Sequence, residues 1–125
     1  MSSSNLQEVI SMDSTKLMKL RETSGIKIIE ITTDLSSYAA SDLRKVLEGL
    51  LVEKVDRVVV NLSQVSHINS TAVGALVGVA KRLRQNGGDL KICALADNLT
   101  RTFNLIGASS VLEIYESENS ALAAF

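Results

Sequence analysis

The chain of 125 residues contains no proline, one cysteine, one histidine and 3% aromatic residues, and its formal net charge is −1. Each shortage removes a class of function. Without proline there is no stiff spacer between domains. The single cysteine, Cys93, cannot form an internal disulfide, and within the apolar stretch Leu90 to Leu95 it reads as a small buried hydrophobe. One histidine and one cysteine cannot supply a usual zinc cluster, so no metal is expected. The near-neutral charge and scarce aromatics provide neither a basic field nor stacking platforms, which argues against nucleic acid as a direct partner. No apolar run approaches the roughly 20 residues of a membrane span, and residues 1–15 lack the basic start and apolar centre of a secretory signal. A cytoplasmic protein without membrane insertion is expected. The phosphate loop Gly-x-x-x-x-Gly-Lys, the dinucleotide pattern Gly-x-Gly-x-x-Gly and the nucleophile elbow Gly-x-Ser-x-Gly are all missing, so neither a cofactor nor an enzyme is expected.

What is present is a 46% hydrophobic chain of a length that suits one domain. A polar leader over residues 1–15 carries Leu6, Val9 and Ile10 at helical spacing; it reads either as a short contact helix or as disorder. From residue 16 onward the pattern is that of an α/β domain. Alternation over Leu17 to Arg21, then Thr23-Ser24-Gly25 and the β-rich Ile26 to Thr32, reads as a hairpin. Leu43, Val46, Leu47, Leu50 and Leu51 share one helical stripe, and Val58 to Leu62 is apolar enough for a strand buried on both faces. A helix from about Ser70 places Val73, Leu76, Val77, Ala80 and Leu83 on one face and stops at Gly87-Gly88; the strand Asp89 to Leu95 follows. Asp97 or Asn98 is suited to cap a short helix carrying Leu99, Phe103 and Ile106, closed by Gly107; Val111 to Tyr115 and a helix from about Ser117 complete the order ββαβαβαβα. Strands separated by helices favour a mixed central sheet flanked by helices.

Residues 59–76 run a β-branched strand through a polar loop into two adjacent hydroxyls, Ser70 and Thr71, at a helix start. Helix N-termini have unpaired N–H groups and a positive dipole end, so an attached phosphate is welcome there. From the residues alone Ser70 is equally well read as an N-cap. His67 has no second histidine beside it and reads as a half-buried loop residue, and an enzyme would need Ser70, His67 and Asp34 to meet from separate loops. Gly74 and Gly78, four apart, allow either a partner backbone or close internal packing. Lys81, Arg82 and Arg84 read as a solvated helix face.

The segment Asn61-Leu62-Ser63-Gln64-Val65-Ser66-His67-Ile68-Asn69-Ser70-Thr71-Ala72-Val73-Gly74 resembles the signature of STAS-domain anti-sigma factor antagonists, Asp-x-Ser-x-Val-x-(aromatic)-(Ile/Met)-Asp-Ser-(Ser/Thr)-Gly-(Leu/Ile)-Gly. Thr33-Asp34-Leu35-Ser36, Gly87-Gly88 and Phe103-Asn104-Leu105-Ile106-Gly107 resemble further family features, and the likeness runs from about Leu17 to the C-terminus. It implies a STAS domain over 16–125 that binds an anti-sigma factor, a serine kinase of the GHKL ATPase type, and loses that partner when phosphorylated; a phosphatase would reset it. The family's phosphoacceptor falls on Ser70, with Thr71 as alternate, and the implied partner-binding residues are Asp34, Ser36, Asn69, Ser70, Thr71, Ala72, Val73 and Gly74. Asn69, Ser36 and Asn61 stand where the family has Asp, His67 takes an aromatic position and Ala72 replaces Gly. The alternative implied by related domains is a phosphorylation-independent scaffold, or the cytosolic subunit of a stress-signalling or lipid-transport complex.

Overall fold

Ser24 and Gly25 both take positive φ, 51° and 79°, the backbone of a two-residue type I′ turn whose twist matches that of antiparallel strands. The turn joins β1 (Met18–Thr23) to β2 (Ile26–Ile31), paired from Thr23↔Ile26 to Met18↔Ile31. The computed structural model describes residues 17–125, so the leader expected over 1–15 lies outside the described residues. Three helical crossovers then add β3 (Arg57–Asn61), β4 (Asp89–Cys93) and β5 (Glu113–Tyr115) as parallel neighbours. The result is one five-stranded mixed sheet in the order β1-β2-β3-β4-β5. The crossovers run through α1 (Ser37–Val52), α2 (Ser70–Gln85) and α3 (Asp97–Leu105), the last followed by a 3-10 turn at Ala108–Ser110; α4 (Glu118–Ala123) completes the expected order.

The helical stripes meet one face of the sheet. Leu43, Leu47 and Leu50 of α1, Leu76, Ala80 and Leu83 of α2, and Leu99 and Phe103 of α3 pack with Ile29, Ile31, Val58, Val60, Leu90 and Ile92. The opposite face carries Ile26, Ile28, Val59 and Cys93 beneath Ala121 of α4, with Leu122 and Phe125 partly buried alongside. Cys93 is thus the buried residue its neighbours in sequence suggested, and burial pushes its thiol pKa up to about 11.

Six residues of α4 cannot close that face by apolar area alone, and charged side chains fasten its margins. Arg21 donates to both Glu118 oxygens (2.8 and 3.0 Å), and Asn61 Nδ2 donates to Glu118 Oε1 at 3.0 Å. The hydrogen bond from Arg21 outweighs burial and holds the Glu118 carboxyl below its usual range. At the other margin buried Lys91 pairs with Glu113 (2.6 Å) and Asp89 (3.2 Å), its ammonium 4.7 Å from the centre of the Phe125 ring. Burial alone would lower the Lys91 pKa; the bonds to Glu113 and Asp89 more than offset it, so the group stays charged.

Several boundaries differ from the sequence pattern. β4 stops at Cys93 because Ala94 turns to φ 64°, and β5 starts only at Glu113 because Val111 remains in helical backbone after the 3-10 turn. The N-cap of α3 is Ala96, with Asp97 already its first helical residue, where its carboxylate faces the positive helix end. Ile106 does not join Leu99 and Phe103 in the core: it follows the last turn and stands 52% exposed. Gly107 closes the helix at φ 79°, as expected.

Candidate functional site

Where β3 leaves the sheet the chain turns through Val65, whose N–H donates to Leu62 O, and then runs beside the β2–α1 loop. Leu35 and Ile68 form an isolated parallel bridge: Leu35 N–H donates to His67 O at 2.9 Å and Asn69 N–H to Leu35 O at 3.0 Å. Two segments far apart in sequence are thereby joined at the tops of α1 and α2.

Asn69 is extended (φ −93°, ψ 168°) and its side-chain oxygen accepts from Ala72 N–H at 2.9 Å. The capping role that one reading gave to Ser70 therefore belongs to Asn69, and Ser70 is the first helical residue. Ser70 and Thr71 are both exposed. Among the described residues neither hydroxyl makes a hydrogen bond, and their N–H groups lie ahead of the first intrahelical bond. The first turn of α2 holds no acidic side chain, and Arg82 and Arg84 sit at its C-terminal end, so the helix field at Ser70 is uncancelled locally.

Asp34 belongs to this junction through the loop backbone. Its Oδ1 accepts from Ser66 N–H (2.7 Å) and His67 N–H (3.2 Å), and Oδ2 lies 3.2 Å from His67 Nδ1. The bond from Ser66 is the foremost reason that the Asp34 carboxyl is held below its ordinary value. Asp34 and His67 thus meet, but Ser70 shares no hydrogen bond with either among the described residues. His67 is not the half-buried loop residue expected: its side chain is 83% exposed, because Val65 and Ile68 supply the inward-facing positions of the loop.

The expected docking residues divide. Ser36, Ser70, Thr71 and Gly74 are exposed, and Asn69 and Asp34 are partly so. Ala72 is a correction: with 0% exposure it lies on the sheet-facing stripe of α2, three residues after the cap and four before Leu76, and offers no surface to a partner. Val73 takes the core position its stripe predicted, at 4% exposure, and is corrected only as a docking residue, although it floors a shallow groove of ≈ 310 Å³ between α2 and the end of α3. Ser70 stands at one end of that groove, Gly74 and Val77 line the α2 side, and Ile106 lines the other. Gly74 and Gly78 do not serve internal packing, since a Cβ at either would meet nothing within 4 Å. Leu105, 80% exposed, adds apolar surface beside Ile106. Both were read as parts of a family motif; their exposure becomes visible only once Phe103 is seen to take the buried position.

The sequence profile of the STAS domain matches residues 18–121. An anti-sigma-B factor antagonist of Listeria monocytogenes is 33% identical over 101 residues, covering 81% of this chain and 88% of the relative. Two solved folds are superposable at lower identity. An anti-sigma factor antagonist from Mycobacterium paratuberculosis gives a TM-score of 0.77 at 18% identity, covering 86% of this chain and 91% of that one. The phosphorylated form of the Bacillus cell fate determinant SpoIIAA gives 0.68 at 16%, covering 86% and 97%. With this fold, this junction and these relatives, the chain belongs to the STAS-domain family of anti-sigma factor antagonists.

Proposed function

We propose that the chain works as a partner switch in the cytoplasm: unmodified, it binds a GHKL-type kinase that is also an anti-sigma factor, and phosphorylation of Ser70 releases it. One observation carries this reading. Because Asn69 provides the cap, the Ser70 hydroxyl is exposed and unengaged at the positive end of a 16-residue helix. A phosphate there adds about −1.5 to −2 charges and three acceptors that the free N–H groups and dipole can accommodate. The same charge at one end of the apolar groove opposes any partner seated over Gly74 and Ile106. The helix keeps its cap in both states, so the switch works at the surface without refolding. A phosphatase completes the cycle, and exposed Thr71 is the alternate acceptor.

The test joins modification to binding. Intact mass analysis after mixing with the kinase and ATP should show one phosphate, mapped to Ser70. Ser70→Ala should retain anti-sigma factor binding and resist modification, while Ser70→Asp should weaken binding about tenfold or more. Equal affinity of the two variants counts against the switch. Unmodified mass with persistent binding favours a permanently assembled scaffold, a reading supported by Asn69, which leaves no carboxylate directly beside the acceptor hydroxyl.

A further inference from the structure

The loop that delivers Ser70 is held by side chains of two other elements. Ser66 has both of its backbone groups taken: its N–H donates to Asp34 Oδ1 at 2.7 Å, and its C=O accepts from Asn98 Nδ2 at 2.8 Å. His67 N–H joins the Asp34 side at 3.2 Å, and its carbonyl accepts from Leu35 N–H. Asp34 comes from the β2–α1 loop and Asn98 from the first turn of α3, whose far end leads to Ile106 in the groove. Beyond the single bridge of Leu35 to Ile68, no sheet ladder fixes residues 63–68. Val65 and Ile68 anchor the loop in the core, and between those anchors Ser66 and His67 are exposed, so their backbone is held by these polar contacts, which bear on Asn69 and the direction of the Ser70 hydroxyl.

We propose that Asp34 and Asn98 are positioning residues: they hold Ser66 by its N–H and its C=O respectively and so help set the geometry in which Ser70 meets the kinase. The inference rests on the reading of Ser70 as phosphoacceptor. Transfer of a phosphoryl group needs the accepting oxygen close to and in line with the phosphorus, so a loosened loop slows the step itself more than it weakens encounter. In the step the Ser70 oxygen forms a bond to the γ-phosphorus of ATP, the bond from that phosphorus to the bridging oxygen breaks, ADP leaves, and the hydroxyl proton passes to a base of the kinase. Asp34 and Asn98 act on this only through the loop. It follows that Asp34 serves the site by holding backbone, where the family likeness would make it a partner contact.

Two measurements decide it. In the isolated chain, amide exchange at Ser66 and His67 followed by NMR should accelerate about tenfold in Asp34→Ala, and at neighbouring loop amides in Asn98→Ala. Asp34→Asn, which keeps an acceptor oxygen in place, should restore most of the protection. With the GHKL-type kinase of the source organism and labelled ATP, Asp34→Ala and Asn98→Ala should lower kcat about tenfold or more with KM nearly unchanged, and Asp34→Asn should recover it. Unchanged exchange, or a loosened loop with unchanged kcat, overturns this positioning role. A wild-type chain that takes no phosphate overturns the reading of Ser70 and this inference with it; a modified wild type beside variants modified equally fast overturns the inference alone.

Discussion

Glycine inside a helix is destabilising by about 0.8 to 1 kcal/mol relative to alanine, and three helical positions here allow that quantity to be set against function. A Cβ on Gly49, Gly74 or Gly78 meets nothing within 4 Å, and none of the three has positive φ, so alanine fits each without strain. Each replacement should therefore stabilise the fold by about 0.8 kcal/mol, raising Tm by about 3 °C for a chain of this size. Gly74→Ala with Gly78→Ala should approach twice that. The three positions differ in where they sit. Gly74 and Gly78 lie on the exposed side of α2 that leads away from Ser70, while Gly49 is in the last turn of α1, at the opposite end of the helix layer. If a partner backbone settles onto α2, methyl groups at 74 and 78 should lower its affinity about tenfold, or about 1.4 kcal/mol, while Gly49→Ala leaves it unchanged. Urea denaturation and titration of the anti-sigma factor against the same three variants give both numbers. Lower stability in Gly74→Ala would refute the packing argument. Higher stability with undiminished affinity would refute the use of this face for docking.

Gly88→Ala should behave in the opposite way, destabilising by about 2 to 4 kcal/mol in urea melts, because the added Cβ runs into the Asp56 carbonyl, which accepts from Asp89 N–H where β3 and β4 begin. The Cys93 thiol, buried and pushed up to about 11, should be inert to thiol reagents at neutral pH in the native chain and react fully once denaturant is added. Glu118 has its folded pKa below the ordinary 4.5 through its bond from Arg21. Its contribution is complete above that ordinary value and is lost as pH falls through the lower folded one. Glu118→Gln should flatten this part of the acid denaturation profile, and Glu118→Ala should destabilise at neutral pH by about 1 to 2 kcal/mol as α4 loses its fastening.

Local chemistry made most of the fold legible. The pair Ser24-Gly25 between alternating strands carried the hairpin, the stripe Leu43-Leu47-Leu50 gave α1 its buried side, and the all-apolar Val58-Val59-Val60 announced a strand covered on both faces. The candidate site was legible as a place, from the hydroxyl pair after a polar loop, but its wiring was not. Asp34 and His67 are 33 residues apart, and Arg21 and Glu118 are 97 apart; nothing in either neighbourhood names the other. One signal was available for the second pair: an arginine on an edge strand and a glutamate opening a helix too short to bury its own way onto a sheet. Ala72 was misassigned because a family glycine at that place suggests a close approach by a partner, whereas the helical period puts 72, 73 and 76 together on the side packed against the sheet.

The order of the strands has a consequence for what this molecule can recognise. Each crossover carries the chain one strand further in a single direction, and all three crossover helices lie against the same side of the sheet. Open α/β sheets form their clefts for small ligands where successive connections diverge to opposite sides and leave a crevice beyond the strand ends. No divergence occurs among the parallel strands here, so that kind of crevice has nowhere to open. What the topology leaves is a row of helix tips and shallow furrows facing outward, a shape suited to the broad surface of another macromolecule.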